Sequence, residues 1–449
     1  MSDDILSFLM ADFQDRSLPE VTSRDLRVPL LPRKATTFIG MRRTGKTYAM
    51  YDTMHRLLGQ GVGKDYMLYL NLEDERLGMP TTKTLDRALE LFYRRNPTAR
   101  GGRSYLFFDE IQVVPSWERF VRRVLDTEEV DVVLSGSSAK LLSTDLATSL
   151  RGRSLAVEVL PFSLREVLRA DSAEPEASPW PPGASMRSLA AAALDSYLVV
   201  GGFPEAQSVH PFDRAQLLQG YVDAVVLKDV VERHGVANLT AMRHLVQALF
   251  AANAGEFSVS GFHGTLVSQG FKVSKHTLLD YLGHLTDAYL VFLVSLRSRS
   301  EKQRLVNPRK VYAVDPGLAA AMYSGGAVNV GAQLETFVYL ELRHRLGILA
   351  GHTISYYRTR GGYEVDFAVD SPVPGEGVRL IQACARWHLP ATRSRELRAL
   401  SEAMEETGCS EALVVTLDDR ESLHTSAGRI RVVPAWEWAL EPRKADWGL

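Results

Sequence analysis

One octapeptide constrains this chain more than any other stretch: Gly40-Met41-Arg42-Arg43-Thr44-Gly45-Lys46-Thr47. It fits G-x-x-x-x-G-K-[ST], follows the short apolar run Ala35–Ile39 and precedes the helical pattern Tyr48–Leu58. A strand, a glycine loop and a helix in that order form a phosphate cradle. The glycines let the backbone curl so that its N–H groups face inward, and the helix N-terminus adds partial positive charge. On this reading Gly40, Arg42, Arg43, Thr44, Gly45, Lys46, Thr47 and Tyr48 surround a nucleotide. Lys46 reaches the β- and γ-phosphates, and the Thr47 hydroxyl holds Mg2+.

The cradle needs an acidic partner, and Tyr105-Leu106-Phe107-Phe108-Asp109-Glu110 supplies one. Four apolar residues run into two acids at a strand end. Asp109 is placed to hold Mg2+, directly or through water, and Glu110 to polarise the attacking water as a general base. A third strand ends in Leu134-Ser135-Gly136-Ser137-Ser138. Ser135, with Ser137 second, is the candidate hydroxyl for the γ-phosphate or the water; an N-cap on Ala139–Leu142 is the plainer role for Ser137 and Ser138. Leu150-Arg151-Gly152-Arg153 offers two arginines, either of which can serve a neighbouring subunit's γ-phosphate or pair with surface acids.

These motifs sit among short apolar segments separated by helical ones. The strands expected are Ala35–Ile39, Tyr66–Leu70, Tyr105–Phe108, Val130–Ser135 and Leu155–Val159. That alternation predicts an α/β fold with a parallel sheet covered on both faces. Residues 1–30 read as a lead-in helix and a polar linker. The formal net charge is -2, so there is no global case for nucleic-acid or membrane binding, and any such role must come from a local patch. Two cysteines, Cys384 and Cys409, make neither a disulfide framework nor a zinc site. No apolar run reaches the roughly 18–20 residues of a membrane span, and the start has no basic, cleavable leader pattern. A cytoplasmic protein without membrane contact is the expectation.

Together the motifs resemble those of AAA-like ATPases of bacteria and archaea with a C-terminal domain of unknown function, the AAA_14/DUF4143 architecture. Further matching stretches are Leu160-Pro161-Phe162-Ser163, Gly201-Gly202-Phe203-Pro204-Glu205, Asp315-Pro316-Gly317-Leu318 and Glu364-Val365-Asp366-Phe367. The resemblance implies ATP binding and hydrolysis in a homo-oligomer and fixes no substrate. It also implies that Pro204 lies in a lid near the adenine; a Gly-Gly-x-Pro segment is equally a rigid turn between helices.

Five segments are expected: a lead-in (1–30), an AAA-like P-loop core (31–168), a helical lid (185–235), a winged-helix-like domain (236–325) and a degenerate nuclease-like domain (326–449). The winged helix rests on the helices Met242–Ala252, Phe262–Gln269 and Ser274–Leu290 followed by a β-ribbon. Between Arg297 and Lys310 six basic residues face one acid, Glu301, on a presumed hairpin loop. Arg297, Arg299, Lys302 and Arg304, with Lys275 and His276, are the candidate contacts to DNA; a solvated loop used for protein contacts is the alternative. The last segment resembles the restriction-endonuclease-like fold, with Glu335 and Asp366 in place. Gln382 stands where that fold has an acid and Cys384 where it has a lysine, so nuclease chemistry is not expected. The working reading is an ATPase that remodels or translocates nucleic acid, such as branched or duplex DNA. The alternative is an ATP-gated switch acting on a protein partner.

Overall fold

The five apolar segments become β1 (Ala35–Ile39), β2 (Met67–Asn71), β3 (Ser104–Asp109), β4 (Val130–Ser135) and β5 (Ser154–Glu158). They pair throughout in parallel, in the order β2-β3-β4-β1-β5. The computed structural model describes residues 3–136, 150, 152–176, 180–298, 300–323, 329–347, 351–373 and 375–442, with the side chains of 305 and 306 excepted. The chain divides into two bodies, Met1–Leu160 and Pro161–Leu449.

In the first body, every residue of β1, β3 and β4 is buried. That accounts for their continuous apolar character, since a parallel sheet is covered on both faces. The helix Lys46–Gly59 buries Met50, Met54 and Leu57 against Phe38, Phe107 and Val133. Each such side chain contributes roughly 1.5–3 kcal/mol on leaving water. The helix Trp117–Thr127 turns Trp117, Phe120, Val121, Val124 and Leu125 inward and its arginines outward. The amino-terminal helix Asp3–Asp15 forms as expected, but the stretch after it is not a free polar linker: Leu18, Val21, Leu26, Val28 and Leu30 pack on the sheet's core.

The second body begins with the helices Leu164–Ala170, Ala184–Val200 and Pro211–Ala224, the last running into a π-helical stretch, Val225–Glu232. Helix Leu239–Ala251, β6 (Gly255–Phe257), helices Val259–Ser268 and Lys275–Asp287, β7 (Val291–Val294) and β8 (Arg309–Ala313) follow. The three strands form an antiparallel sheet in the order β6-β8-β7. The connection between β7 and β8 is not the expected open hairpin loop. It contains a helix, Glu301–Val306, capped by the Ser300 side chain, which accepts from the Gln303 N–H.

After the helices Pro316–Met322 and Val330–Leu346 comes a six-stranded sheet. Its strands are β9 (Thr353–Arg358), β10 (Glu364–Asp370), β11 (Val378–Cys384), β12 (Glu411–Thr416), β13 (Glu421–Thr425) and β14 (Gly428–Pro434). The order is β13-β14-β12-β11-β10-β9, with β11, β12 and β14 parallel and the flanking pairs antiparallel. The helix Pro390–Thr407 buries Ala399, Leu400, Ala403 and Met404 on it.

Two glycine motifs explain each other here. The Gly202 N–H donates to Asp315 Oδ2 at 2.6 Å, and Asp315 Oδ1 accepts from the Leu318 N–H at 2.8 Å, capping the helix Pro316–Met322. A Cβ on Gly201 would lie 2.0 Å from Asp315 Oδ1, and one on Gly202 2.0 Å from the Phe162 carbonyl oxygen. One on Gly317 would lie 2.1 Å from the Val200 carbonyl oxygen. Backbones this close admit no side chain. Pro204 starts the single turn Pro204–Ala206 that leads out of this junction, so the rigid-turn reading of Gly201–Glu205 has a structural basis.

Candidate functional site

β1 delivers the octapeptide to the carboxyl end of the sheet, and the helix Lys46–Gly59 leads away from it. Gly40 (φ 149°) and Gly45 (φ 94°) take the left-handed geometry that the curl demands. A Cβ on Gly40 would also meet the Val159 carbonyl oxygen at 2.3 Å. Arg43, at the loop's apex, adopts φ 69° and is exposed, as is Tyr48; Arg42 is half-buried. Thr44 is buried and donates from its hydroxyl to the Met41 carbonyl at 3.0 Å. Lys46 is 5% exposed, its Nζ donating to the carbonyls of Gly40 and Met41 at 3.2 and 2.8 Å.

The acidic pair ends β3, two strands from β1 with β4 between. Thr47 Oγ1 donates to Asp109 Oδ2 at 2.7 Å, so the loop and β3 meet at one carboxylate. The Ser135 hydroxyl, from the end of β4, donates to Asp109 Oδ1 and accepts the Glu110 N–H at 3.1 Å. The hydroxyl thus ties the Asp109 carboxylate to the Glu110 backbone. Burial pushes the Asp109 carboxyl above its ordinary range, and Glu110 adds to that, while bonds from Ser135 and Thr47 pull the other way. Glu110 sits at φ 53°, half-exposed, its carboxylate receiving the Gln112 amide.

Three features of this body carry no sequence signal of their own. The Tyr69 hydroxyl donates to Asp109 Oδ2 at 3.3 Å and receives the Tyr51 hydroxyl at 3.2 Å. Arg24, from the stretch read as linker, is 4% exposed and donates to the Thr44 carbonyl at 3.1 Å and the Leu160 carbonyl at 2.6 Å. Asp52 receives the Arg24 N–H at 3.3 Å and the Arg56 guanidinium at 2.6 Å.

Arg153 lies at the start of β5, where its carbonyl accepts the Ala35 N–H at the amino end of β1. The phosphate loop is at the other end of that strand, about 15 Å away at some 3.3 Å per residue. Arg153 therefore cannot serve its own chain's loop; its guanidinium pairs with Asp126 at the surface. Arg151, Ser137 and Ser138 lie outside the described residues.

In the second body two of the six basic residues of the 297–310 stretch are paired internally. Arg297 forms a two-pronged pair with Asp370, its Nε and a terminal nitrogen each 2.9 Å from a carboxylate oxygen, and Lys310 is buried. Counted as loop charges from the sequence, both have internal carboxylate partners. Lys302 and Arg304 are exposed on the short helix; Lys275 and His276 are exposed at the start of their helix, with His276 Nδ1 2.9 Å from Asp280. Arg299 lies outside the described residues. Glu335 and Asp366 both accept from Lys310 Nζ at 2.9 Å, and the Gln382 amide oxygen accepts the Asp366 N–H at 3.1 Å. Cys384 is buried, its thiol pushed up to about 11 mainly by desolvation, which makes it a poor nucleophile.

A family model described as an AAA domain (AAA_14) matches residues 32–168, and a domain of unknown function (DUF8612), rather than DUF4143, matches residues 191–330. The chain is similar to an uncharacterized protein of Methanocaldococcus jannaschii, 32% identical over 434 residues, spanning 94% of this chain and 91% of that protein. An uncharacterized protein of Haemophilus influenzae is 29% identical over 321 residues, 70% of this chain and 77% of that one. Among solved structures, a Walker-type ATPase of Pyrococcus abyssi is 15% identical, with a TM-score of 0.41, covering 68% of this chain and 99% of that one. No helix among the described residues is long and apolar enough to cross a membrane.

Proposed function

Since the chain belongs to the same family as the Methanocaldococcus jannaschii protein and carries an AAA domain, we propose that it binds and hydrolyses ATP with Mg2+, as one subunit of a homo-oligomer. The observation that carries this reading is the 2.7 Å bond between Thr47 Oγ1 and Asp109 Oδ2, beside the buried Lys46. A hydroxyl and a carboxylate are hard oxygen donors, the kind Mg2+ takes alongside phosphate oxygens and water. Bound there, the ion would supply positive charge to the β- and γ-phosphates.

Lys46 leaves the carbonyls of Gly40 and Met41 for phosphate oxygens, and the loop's N–H groups line the same phosphates. Glu110 takes the proton of the attacking water. Ser135 fixes Asp109 and Glu110 relative to each other. Arg153 acts on the neighbouring copy's γ-phosphate, because β1 separates it from its own. Arg42, Arg43 and Tyr48 flank the nucleotide.

The measurement is ATP turnover and analogue binding by the wild type and Lys46→Ala. Turnover in the wild type and none in the variant supports the reading; a wild type that neither binds nor hydrolyses Mg-ATP ends it. Lys302, Arg304 and Lys275, exposed in the stretch read as a winged helix, favour a second reading in which this turnover remodels nucleic acid.

A further inference from the structure

Lys310 places a charge in the buried part of the strand Arg309–Ala313, and the residue is 3% exposed. Its Nζ lies 2.9 Å from Glu335 Oε1, 2.8 Å from Glu364 Oε1 and 2.9 Å from Asp366 Oδ1. An ammonium has three N–H donors and no acceptor, so three carboxylates use all of them. Those carboxylates come from the helix Val330–Leu346 and from β10, while the lysine comes from the three-stranded sheet.

The surrounding bonds complete the cluster. Tyr312 donates its hydroxyl to Glu335 Oε1 at 2.7 Å, the Ala383 N–H donates to Asp366 Oδ2 at 3.0 Å, and Arg358 reaches Glu364 Oε2 at 3.1 Å. Gln382 spends its amide oxygen on the Asp366 N–H. Burial pulls the basicity of Lys310 down, but Asp366, Glu335 and Glu364 outweigh it and hold that basicity well above the ordinary range. Burial and the Asp366 charge together raise the Glu335 carboxyl.

We propose that Lys310 is a resident cation: its ammonium fills the seat that Glu335, Glu364 and Asp366 would otherwise offer to a divalent metal ion. The seat is thereby closed from within, and the three-stranded sheet is pinned to the six-stranded sheet. The spacing fits an ammonium. Oxygens at 2.8–2.9 Å make N–H···O bonds, whereas Mg2+ needs oxygens at about 2.0–2.1 Å. As the side chains stand, with the ammonium between the three acids, no group of three or more histidines, cysteines or acids among the described residues is placed to hold a metal ion. The lysine absent from the sequence position of Cys384 thus has a counterpart in space, drawn from a different sheet and facing the carboxylates as a counter-ion.

Neutralising Lys310 leaves three buried carboxylates facing one another, a state that takes up protons or a cation, or opens. Nucleotide-free wild type, Lys310→Met and Lys310→Met/Glu335→Gln are therefore titrated with Mn2+, followed by electron paramagnetic resonance and by melting temperature. Lys310→Met is expected to gain one Mn2+, at least about 10-fold tighter than any site in the wild type, and to melt about 5 °C higher at saturating Mn2+. The double variant should lose that gain, which separates this seat from the phosphate loop. Two results overturn the proposal: a wild type whose Mn2+ site disappears with Glu335→Gln, or a folded Lys310→Met as stable as wild type and indifferent to Mn2+. Should Lys310→Met fail to fold with or without Mn2+, amine labelling of the wild type at pH 9 decides. Lys310 unmodified while Lys302 reacts supports the ion-locked lysine; equal labelling overturns it.

Discussion

Tyr69 donates its hydroxyl to Asp109 Oδ2 at 3.3 Å from the strand beside it, so the carboxylate at the end of β3 is held by three hydroxyls, those of Thr47, Ser135 and Tyr69. Only the first two belong to recognisable motifs. One hydrogen bond contributes roughly 1 kcal/mol, or about 5-fold in an equilibrium. Tyr69→Phe is expected to raise the Mg2+ concentration that half-saturates ATP turnover about 5-fold, leaving the maximal rate at saturating Mg2+ within about 2-fold. An unchanged Mg2+ dependence would show that Tyr69 does not position Asp109.

Glu110→Gln keeps the shape of the half-exposed side chain and removes its basicity. Turnover should fall at least about 100-fold, the scale of a general base, while an ATP analogue binds within about 2-fold of wild type. Turnover near the wild-type rate assigns the proton to another group.

Arg153, at the far end of the strand from its own phosphate loop, makes a mixing experiment decisive. Arg153→Ala and Lys46→Ala should each be inactive alone. Mixed, they should regain a fraction of wild-type turnover, because one partner contributes an intact loop and the other an intact arginine. No recovery, in an oligomer shown to exchange subunits, leaves Arg153 as a surface partner of Asp126.

Asp315 is fully buried, and desolvation pushes its carboxyl up to about 6 against the N–H groups of Gly202, Leu318 and Gly317 that pull it down. The folded state therefore binds more protons than the unfolded one between about pH 4 and 6. Its contribution to stability is present at the acid end of that window, declines as pH rises through it and is flat above. Subtracting the Asp315→Asn unfolding curve from the wild-type curve should expose that fall; a flat difference removes Asp315 as its source. Gly202→Ala, with its Cβ 2.0 Å from the Phe162 carbonyl oxygen, should lower the melting temperature of the second body sharply at every pH.

The nucleic-acid reading now rests on fewer charges. Lys302→Glu/Arg304→Glu should weaken binding to duplex or branched DNA at low salt and reduce the salt slope by about 2. A wild type with no affinity for DNA at low salt turns attention to protein partners.

Much of the first body was legible because its parallel strands are buried on both faces and read as unbroken apolar runs, and because Gly40, Gly45, Lys46 and Asp109 have spacings fixed by phosphate geometry. In the six-stranded sheet the inner strands, such as Val378–Cys384, are mostly buried. Its edge strand, Glu421–Thr425, is half wet, with His424 and Glu421 among its residues, and edge strands carry little apolar signal. What sequence could not convey was pairing across distance. Arg297 and Lys310 count as loop charges until Asp370, Glu335, Glu364 and Asp366 are folded beside them. Arg24 fell within the stretch read as a polar linker, and its partners are backbone carbonyls, which leave no trace in composition.

That arginine alters what the smallest working unit of this protein can be. A chain trimmed to begin at Pro32, where the AAA match starts, keeps every motif residue yet deprives the Thr44 and Leu160 carbonyls of their guanidinium. Peeling back the preceding segment would likewise take Arg24 away from the Thr44 carbonyl in the glycine loop.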